Sequence, residues 1–178
     1  MTIRINSVSI VDEVLEKLDT LNPDNITGHD FSPEEIYLCK LLYEQGLNMN
    51  DIKTSFIIDN ELNVIRLIFS IQENKIKCNE SPTNIIELDF NKTSIMPLWS
   101  ESRAWIKDRG FNLDFHYDPF FKDENIKMGF MKPKTAGNDN IIIEADGKTD
   151  LEAIYKVILE VLKHQKSNPA LETVSINS

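Results

Sequence analysis

The apolar positions of this chain first follow a helical period, then a strand period, and return to the helical one at the end. Over residues 10–20, Val11, Val14, Leu15 and Leu18 share one stripe, and Ser9 with Asp12 supplies an N-terminal cap. Asn22-Pro23-Asp24-Asn25 and Gly28 then break the chain. A second helix opens at Phe31-Ser32-Pro33-Glu34-Glu35-Ile36. Ser32 is its cap, Pro33 takes the first helical position, Glu35 returns a hydrogen bond to the cap, and Phe31 with Ile36 closes a hydrophobic staple. Ile36, Leu38, Cys39, Leu41, Leu42 and Tyr43 make this helix apolar on more than one side, and it stops near Gly46.

From Ile52 the pattern becomes short β-rich runs over 54–58, 62–71, 75–78 and 85–90. Asp59-Asn60-Glu61 and Gln72-Glu73-Asn74 are short turns, so these strands pair as antiparallel neighbours in a meander. After Pro97 a short helix over 99–109 is closed by Gly110. The next strand, 111–117, alternates strictly. Its period places Phe111, Leu113, Phe115 and Tyr117 toward the core, with Asp114, His116 and, if the strand extends, Asp118 on the solvated face. A loop over 118–125, a strand over 126–132, a polar loop and the strand 141–145 follow. Thr149 then caps a last helix, Glu152 completes its capping box, and Leu151, Ile154, Tyr155, Ile158, Leu159 and Leu162 form its stripe.

Without regular β-α alternation or internal repeats, this order predicts an α+β fold. A central, mainly antiparallel sheet of several strands is expected, flanked by N-terminal helices, a short mid-chain helix and a C-terminal helix. Residues 1–166 form one domain in this reading, and 167–178 a flexible tail.

The length of 178 residues and an apolar content of 41% suit one well-filled core. The longest apolar runs are only a few residues, as at Ile141-Ile142-Ile143, and the N-terminus has no leader pattern, so the expected location is cytoplasmic. Cys39 and Cys78 lack the spacing of a disulfide framework or zinc site and are read as reduced and structural. Against 19 basic residues stand 29 carboxylates, a net charge of -10. That field repels phosphate backbones and draws basic proteins inward, which disfavours direct nucleic-acid binding.

Several patterns invite a chemical reading and fail on geometry. Gly147-Lys148-Thr149 sits between a strand and a helix, where a phosphate-binding loop would sit, but the position needing the loop's first glycine is Ile142. A turn and helix cap is the plainer reading. Glu73-Asn74-Lys75 with Asp59 resembles the acid plus E-x-K pattern of metal-dependent nucleases, yet the triplet falls on a turn that splays its side chains. Asp114, His116 and Asp118 would stand about 7 Å apart along one strand, too far to converge unaided on one ion. No Gly-x-Ser-x-Gly elbow occurs, His29 reads as a loop residue, and His164 reads as a cation complementing the last helix's dipole. No catalytic residue, metal ligand or cofactor is assigned.

Asp118-Pro119-Phe120-Phe121-Lys122-Asp123-Glu124 differs from ordinary loop sequence, because two adjacent aromatic rings ringed by charge are what protein interfaces use. The competing expectation is that at least one ring tucks under the sheet.

In size, charge and helix-then-meander order the whole chain resembles bacterial toxin-immunity proteins, in particular those of contact-dependent growth inhibition systems. Ser32-Pro33-Glu34-Glu35 and Asp118-Pro119-Phe120-Phe121 are its most distinctive stretches. The resemblance implies a monomer that forms a one-to-one complex with the toxic domain of a cell-surface effector, often a basic nuclease, and blocks it. Asp114, His116, Asp118, Phe120, Phe121, Asp123 and Glu124 are the expected toxin-binding residues. A small metal-dependent enzyme of nuclease type, or a regulatory or scaffold protein with another basic partner, are the alternative readings. Neither membrane nor nucleic acid is an expected partner.

Overall fold

The computed structural model describes residues 2–4, 31–47, 50–52, 54–72, 75–81, 84–121, 124–133 and 140–167. The helix expected over 10–20, the Gly28-His29 loop and the tail from 168 lie outside the described residues. Within them the chain is α+β. Its strands are β1 (Thr2–Arg4), β2 (Phe56–Asp59), β3 (Val64–Gln72), β4 (Lys75–Ser81), β5 (Asn84–Asp89), β6 (Thr93–Met96), β7 (Asn112–Tyr117), β8 (Ile126–Lys132) and β9 (Ile141–Gly147). The helices are α1 (Pro33–Glu44), α2 (Trp99–Asp108) and α3 (Asp150–Ser167), with a 3-10 turn at Phe90–Lys92.

The strands divide between two sheets, where the sequence pattern suggested one. One has the order β5-β4-β3-β2-β6 and is antiparallel throughout; the other has the order β1-β9-β8-β7, antiparallel except that β1 runs parallel to β9. Two strands escaped the sequence reading because they are too short to show a period. β1 has three residues, and every residue of β6 is buried, which erases the polar-apolar alternation.

One continuous core joins both sheets to the three described helices. It holds Phe56, Ile58 and Met96 from the first sheet, Met128, Phe130 and Ile143 from the second, Leu38, Cys39 and Leu42 from α1, Ile106 from α2, and Ile154, Tyr155, Ile158 and Val161 from α3. A smaller cluster of Ile57, Ile76 and Cys78 lies within the five-stranded sheet, with Ile68, Ile86, Leu88 and Phe90 against it. β2 therefore serves both clusters, which explains why all four of its residues are buried.

Local sequence sets the element ends. Gly46 and Gly110 adopt left-handed backbone (φ 92° and 83°). At each, the glycine N–H bonds to the carbonyl three residues back and the following N–H to the carbonyl five back: Gly46 to Tyr43, Leu47 to Leu42, Gly110 to Lys107, Phe111 to Ile106. This is the Schellman ending, and its hydrophobic partners Leu47 and Phe111 are buried. The β2–β3 turn runs longer than expected. Asp59 Oδ1 accepts from the backbone N–H of Glu61 and Leu62, and Asn63 sits at φ 55°, so the strand resumes at Val64 instead of Leu62.

The N-termini of α1 and α3 stand together and cap each other. Ser32 Oγ accepts from Glu35 N–H (3.1 Å) and Glu35 returns to the Ser32 N–H (2.8 Å), the expected box. Thr149 Oγ1 likewise accepts from Glu152 N–H (3.1 Å), while the Glu152 carboxylate accepts from Lys148 N–H (2.8 Å). Each capping hydroxyl then donates across: Thr149 to Glu35, and Ser32 to Glu152 at 3.3 Å. Both carboxylates are buried.

No helix among the described residues is long and apolar enough to cross a membrane.

Candidate functional site

β7 does not keep the alternation its sequence advertises. Leu113 pairs with Phe130 of β8, but the next partner pair is Phe115 with Gly129, so Asp114 is an extra residue, a β-bulge. One inserted residue moves everything after it to the opposite face. Leu113 and His116 consequently lie opposite Phe130 and Met128, whose side chains are buried in the core. Phe115 and Tyr117 lie on the outer face and are 37% and 51% exposed. The expectation that Phe115 and Tyr117 face the core is thus reversed; His116 moves to the sheet face of Met128, yet at the strand's end it stays exposed as expected. Gly129 was the available signal, since a glycine inside an otherwise regular strand marks a bulge or a close approach. A Cβ there would come within 2.3 Å of the Phe115 ring. The ring occupies the space a side chain would need.

The aromatic surface continues past the strand. Phe120 is 97% exposed and Phe121 68%, with their rings edge to face at a centroid distance of 6.1 Å. Neither tucks under the sheet. Glu124 N–H bonds to the Phe121 carbonyl at 3.2 Å, and the Tyr117 hydroxyl donates to Glu124 at 3.5 Å, which ties the loop back to the strand. Four exposed aromatic residues thus fall within 115–121, flanked by the exposed carboxylates of Asp114, Asp118 and Glu124. Asp123 lies outside the described residues.

His116 belongs to a different neighbourhood. Its Nε2 lies 2.7 Å from Asp150 Oδ1 at the start of α3, and its ring is 5.6 Å from that of Trp99, tilted by 33°. It is separated by the sheet from Phe115 and Tyr117, so the expected set Asp114, His116, Asp118 does not form one row.

The remaining motifs have structural occupations. At Gly147-Lys148-Thr149 the Lys148 amide and Thr149 hydroxyl are engaged by Glu152 and Glu35, so a buried internal carboxylate stands where a phosphate would bind. A Cβ on Gly147 would meet Ala153 N and the Glu152 Cβ at 2.7 Å, which explains the glycine by helix packing. Asp59 is buried and held by Arg66, whose Nε and Nη2 donate to Oδ2 at 3.2 and 3.1 Å. Lys75 pairs with Glu87 on the surface of β4 and β5, and that pairing, with Lys77 nearby, holds the Glu87 carboxyl below its usual range. Glu73 and Asn74 are outside the described residues. Cys39 and Cys78 are both free and buried, and burial pushes both thiols up, away from the reactive thiolate form. His164 lies in the last turn of α3, where burial and the Lys132 ammonium lower its pKa and so weaken the cationic form expected there. Among the described residues no group of three or more His, Cys, Asp or Glu side chains is arranged to hold a metal ion.

Two clefts were not legible in the sequence. One, of about 760 Å³, lies between residues 50–52 and α2. The other, of about 430 Å³, lies between the C-terminal end of α1 and the 3-10 turn, and the two share Asn50. Each is assembled from segments about 40 to 50 residues apart, which no local pattern announces. The partial trace is on α2, where Ser100, Ala104 and Asp108 recur every fourth residue as a small and polar stripe.

No family model, curated protein or solved structure matches the chain.

Proposed function

We propose that this chain is an immunity protein that binds a basic toxin domain, a nuclease of the contact-dependent growth inhibition type, and blocks its substrate-binding surface. The observation that carries the reading is the exposure of Phe120 and Phe121, continued by Phe115 and Tyr117 on the outer face of β7. Large apolar side chains grouped at the surface and rimmed by carboxylates are the composition of a docking site. The net charge of -10 supports a basic partner, since opposite fields accelerate encounter and discriminate against acidic proteins.

Side-chain docking suits this surface better than addition of a strand to the sheet. β7 is an edge strand in the described sheet, but its bulge interrupts the ladder a new strand would need.

The test is protection. Cells expressing the chain survive the toxic domain encoded by the adjacent upstream reading frame and are killed by unrelated toxins. In stopped-flow mixing with that domain, the association rate falls as salt rises. Survival equal to that of cells lacking the chain would overturn the reading. A regulatory or scaffold protein would bind a basic partner without protecting.

A further inference from the structure

We propose that the outer edge of β5 is a second interaction surface, which takes an extended segment of a partner protein as an added strand, basic on one face and apolar on the other. Each described sheet has two edge strands, and β5 differs from the others. β1 spans only three residues, β6 is buried throughout, and β7 is broken by its bulge. β5 has none of these protections. It pairs residue for residue with β4 from Ile85 to Asp89, contains no proline, and has no strand on its other side among the described residues. In such a strand every second residue directs its N–H and C=O away from the neighbour, so the outer row can receive a further strand.

The two faces of β5 specify what that strand carries. On one face Ile86 and Leu88 lie opposite Cys78 and Ile76, which are fully buried, yet they are only partly buried themselves. The apolar cluster of the five-stranded sheet therefore runs out to the edge and stops there unfinished, and apolar side chains on an added strand complete it. On the other face the charges form rows across the strands. Lys77 of β4 lies opposite Glu87, and Lys75 lies opposite Asp89 while its ammonium pairs with Glu87 at 2.6 Å. Basic on β4 and acidic on β5, these rows continue with basic residues on the next strand, because opposite charges stabilise cross-strand neighbours and like charges oppose pairing. A second copy of β5 would bring the same carboxylates to the edge, so the segment belongs to a different protein. Ile85, 59% exposed on the face of Glu87, gives that segment an apolar contact at the end of the row.

The full chain, labelled with ¹⁵N, tests this by titration with the capped peptide acetyl-Thr-Lys-Val-Arg-Val-Thr-amide. At saturation, alternate amides between Ile85 and Asp89 exchange more slowly with deuterium, while the intervening ones, already bonded to β4, keep their rates. Two N-methylated forms of the peptide, one blocked at Lys and Arg and the other at both Val, separate strand pairing from simple charge attraction. One of them loses binding by about tenfold or more and the other keeps it, since only one set of peptide N–H groups faces β5. Replacing Lys and Arg of the peptide by Glu removes saturation. Glu87→Gln with Asp89→Asn weakens the basic peptide by about tenfold or more. Both positions are exposed, and the unchanged remainder of the spectrum reports that the fold is intact. Phe120→Ala leaves the titration unchanged, which separates this edge from the aromatic surface and from the immunity reading. Exchange rates in β5 that do not alternate, equal binding of the two methylated peptides, saturation by the glutamate peptide, or full affinity in the double variant each overturns the proposal. So does a dimer of the chain that protects the same amides without any peptide.

Discussion

The Thr149 hydroxyl donates a hydrogen bond to the Glu35 carboxylate, joining the starts of two helices that lie 114 residues apart in sequence. Thr149 is at once the cap of α3 and a ligand of the α1 capping box, so its loss is felt twice. Thr149→Val should cost about 1–3 kcal/mol, from the lost cap and from a buried carboxylate left short of a donor. Urea unfolding measures it, and a loss confined to a few tenths would place the two helix starts apart in solution.

The same carboxylate should make stability depend on pH. Burial raises the Glu35 pKa above 4.5, against the opposing pull of its hydrogen bonds to Thr149 and Ser32. The folded protein then binds more protons than the unfolded chain between the two pKa values, so this group's contribution is greatest below pH 4.5 and is lost as pH rises through the folded value. Relative to Glu35→Gln, the native protein should gain stability on acidification from pH 7 toward that window. Parallel unfolding curves at all pH values would contradict it.

Arg66 and Asp59 form a buried pair, with side chains 4% and 3% exposed. Arg66→Leu strands the Asp59 charge and should cost about 3–5 kcal/mol. Adding Asp59→Asn should recover part of that loss, because no uncompensated charge remains and the amide oxygen can still accept from the Glu61 and Leu62 N–H groups. Equal stability of the single and double variants would show that the charge was not the cost.

Phe120→Ala and Phe121→Ala should leave folding stability within about 0.5 kcal/mol, since neither ring is packed into the core. On the proposed function, each weakens toxin binding by about 2 kcal/mol or more, mainly through faster dissociation. Glu124→Gln, at the rim, acts mainly on association. Unchanged affinity in both phenylalanine variants would remove the loop from the interface while leaving the protection assay to judge the immunity reading.

Leu159 is buried on the core face of α3, and Leu159→Ala should cost about 2–5 kcal/mol through lost burial and a residual cavity. A change below about 0.5 kcal/mol would mean that this position is exposed in solution.

The sequence announced features that are set by a few adjacent residues. Ser32 with Glu35, Thr149 with Glu152, Gly46 and Gly110 each specify a helix end through bonds made within one turn, so both the α+β class and the described helices follow from them. It did not announce relationships set across the sheets. The alternation of Phe111 to Tyr117 reads as an unbroken strand, and only the partner strand, through Gly129, reveals where the extra residue falls. Division into two sheets was equally hidden, because the pairing of β6 with β2 and of β1 with β9 joins strands far apart in sequence. Of the expected interface, the Phe120-Phe121 loop was legible as an aromatic pair among charges, whereas the placement of His116 depended on the bulge.

That bulge also bears on self-association. An edge strand carrying Phe115 and Tyr117 outward has the composition that invites identical chains to stack into fibrils. Asp114 cuts the available ladder into Asn112–Leu113 and Phe115–Tyr117, neither segment longer than three residues and the two out of phase. A second copy approaching this edge meets a fault and a carboxylate where it needs a continuous row of amides. The chain can therefore carry its most adhesive side chains at a sheet margin while denying its own kind a template.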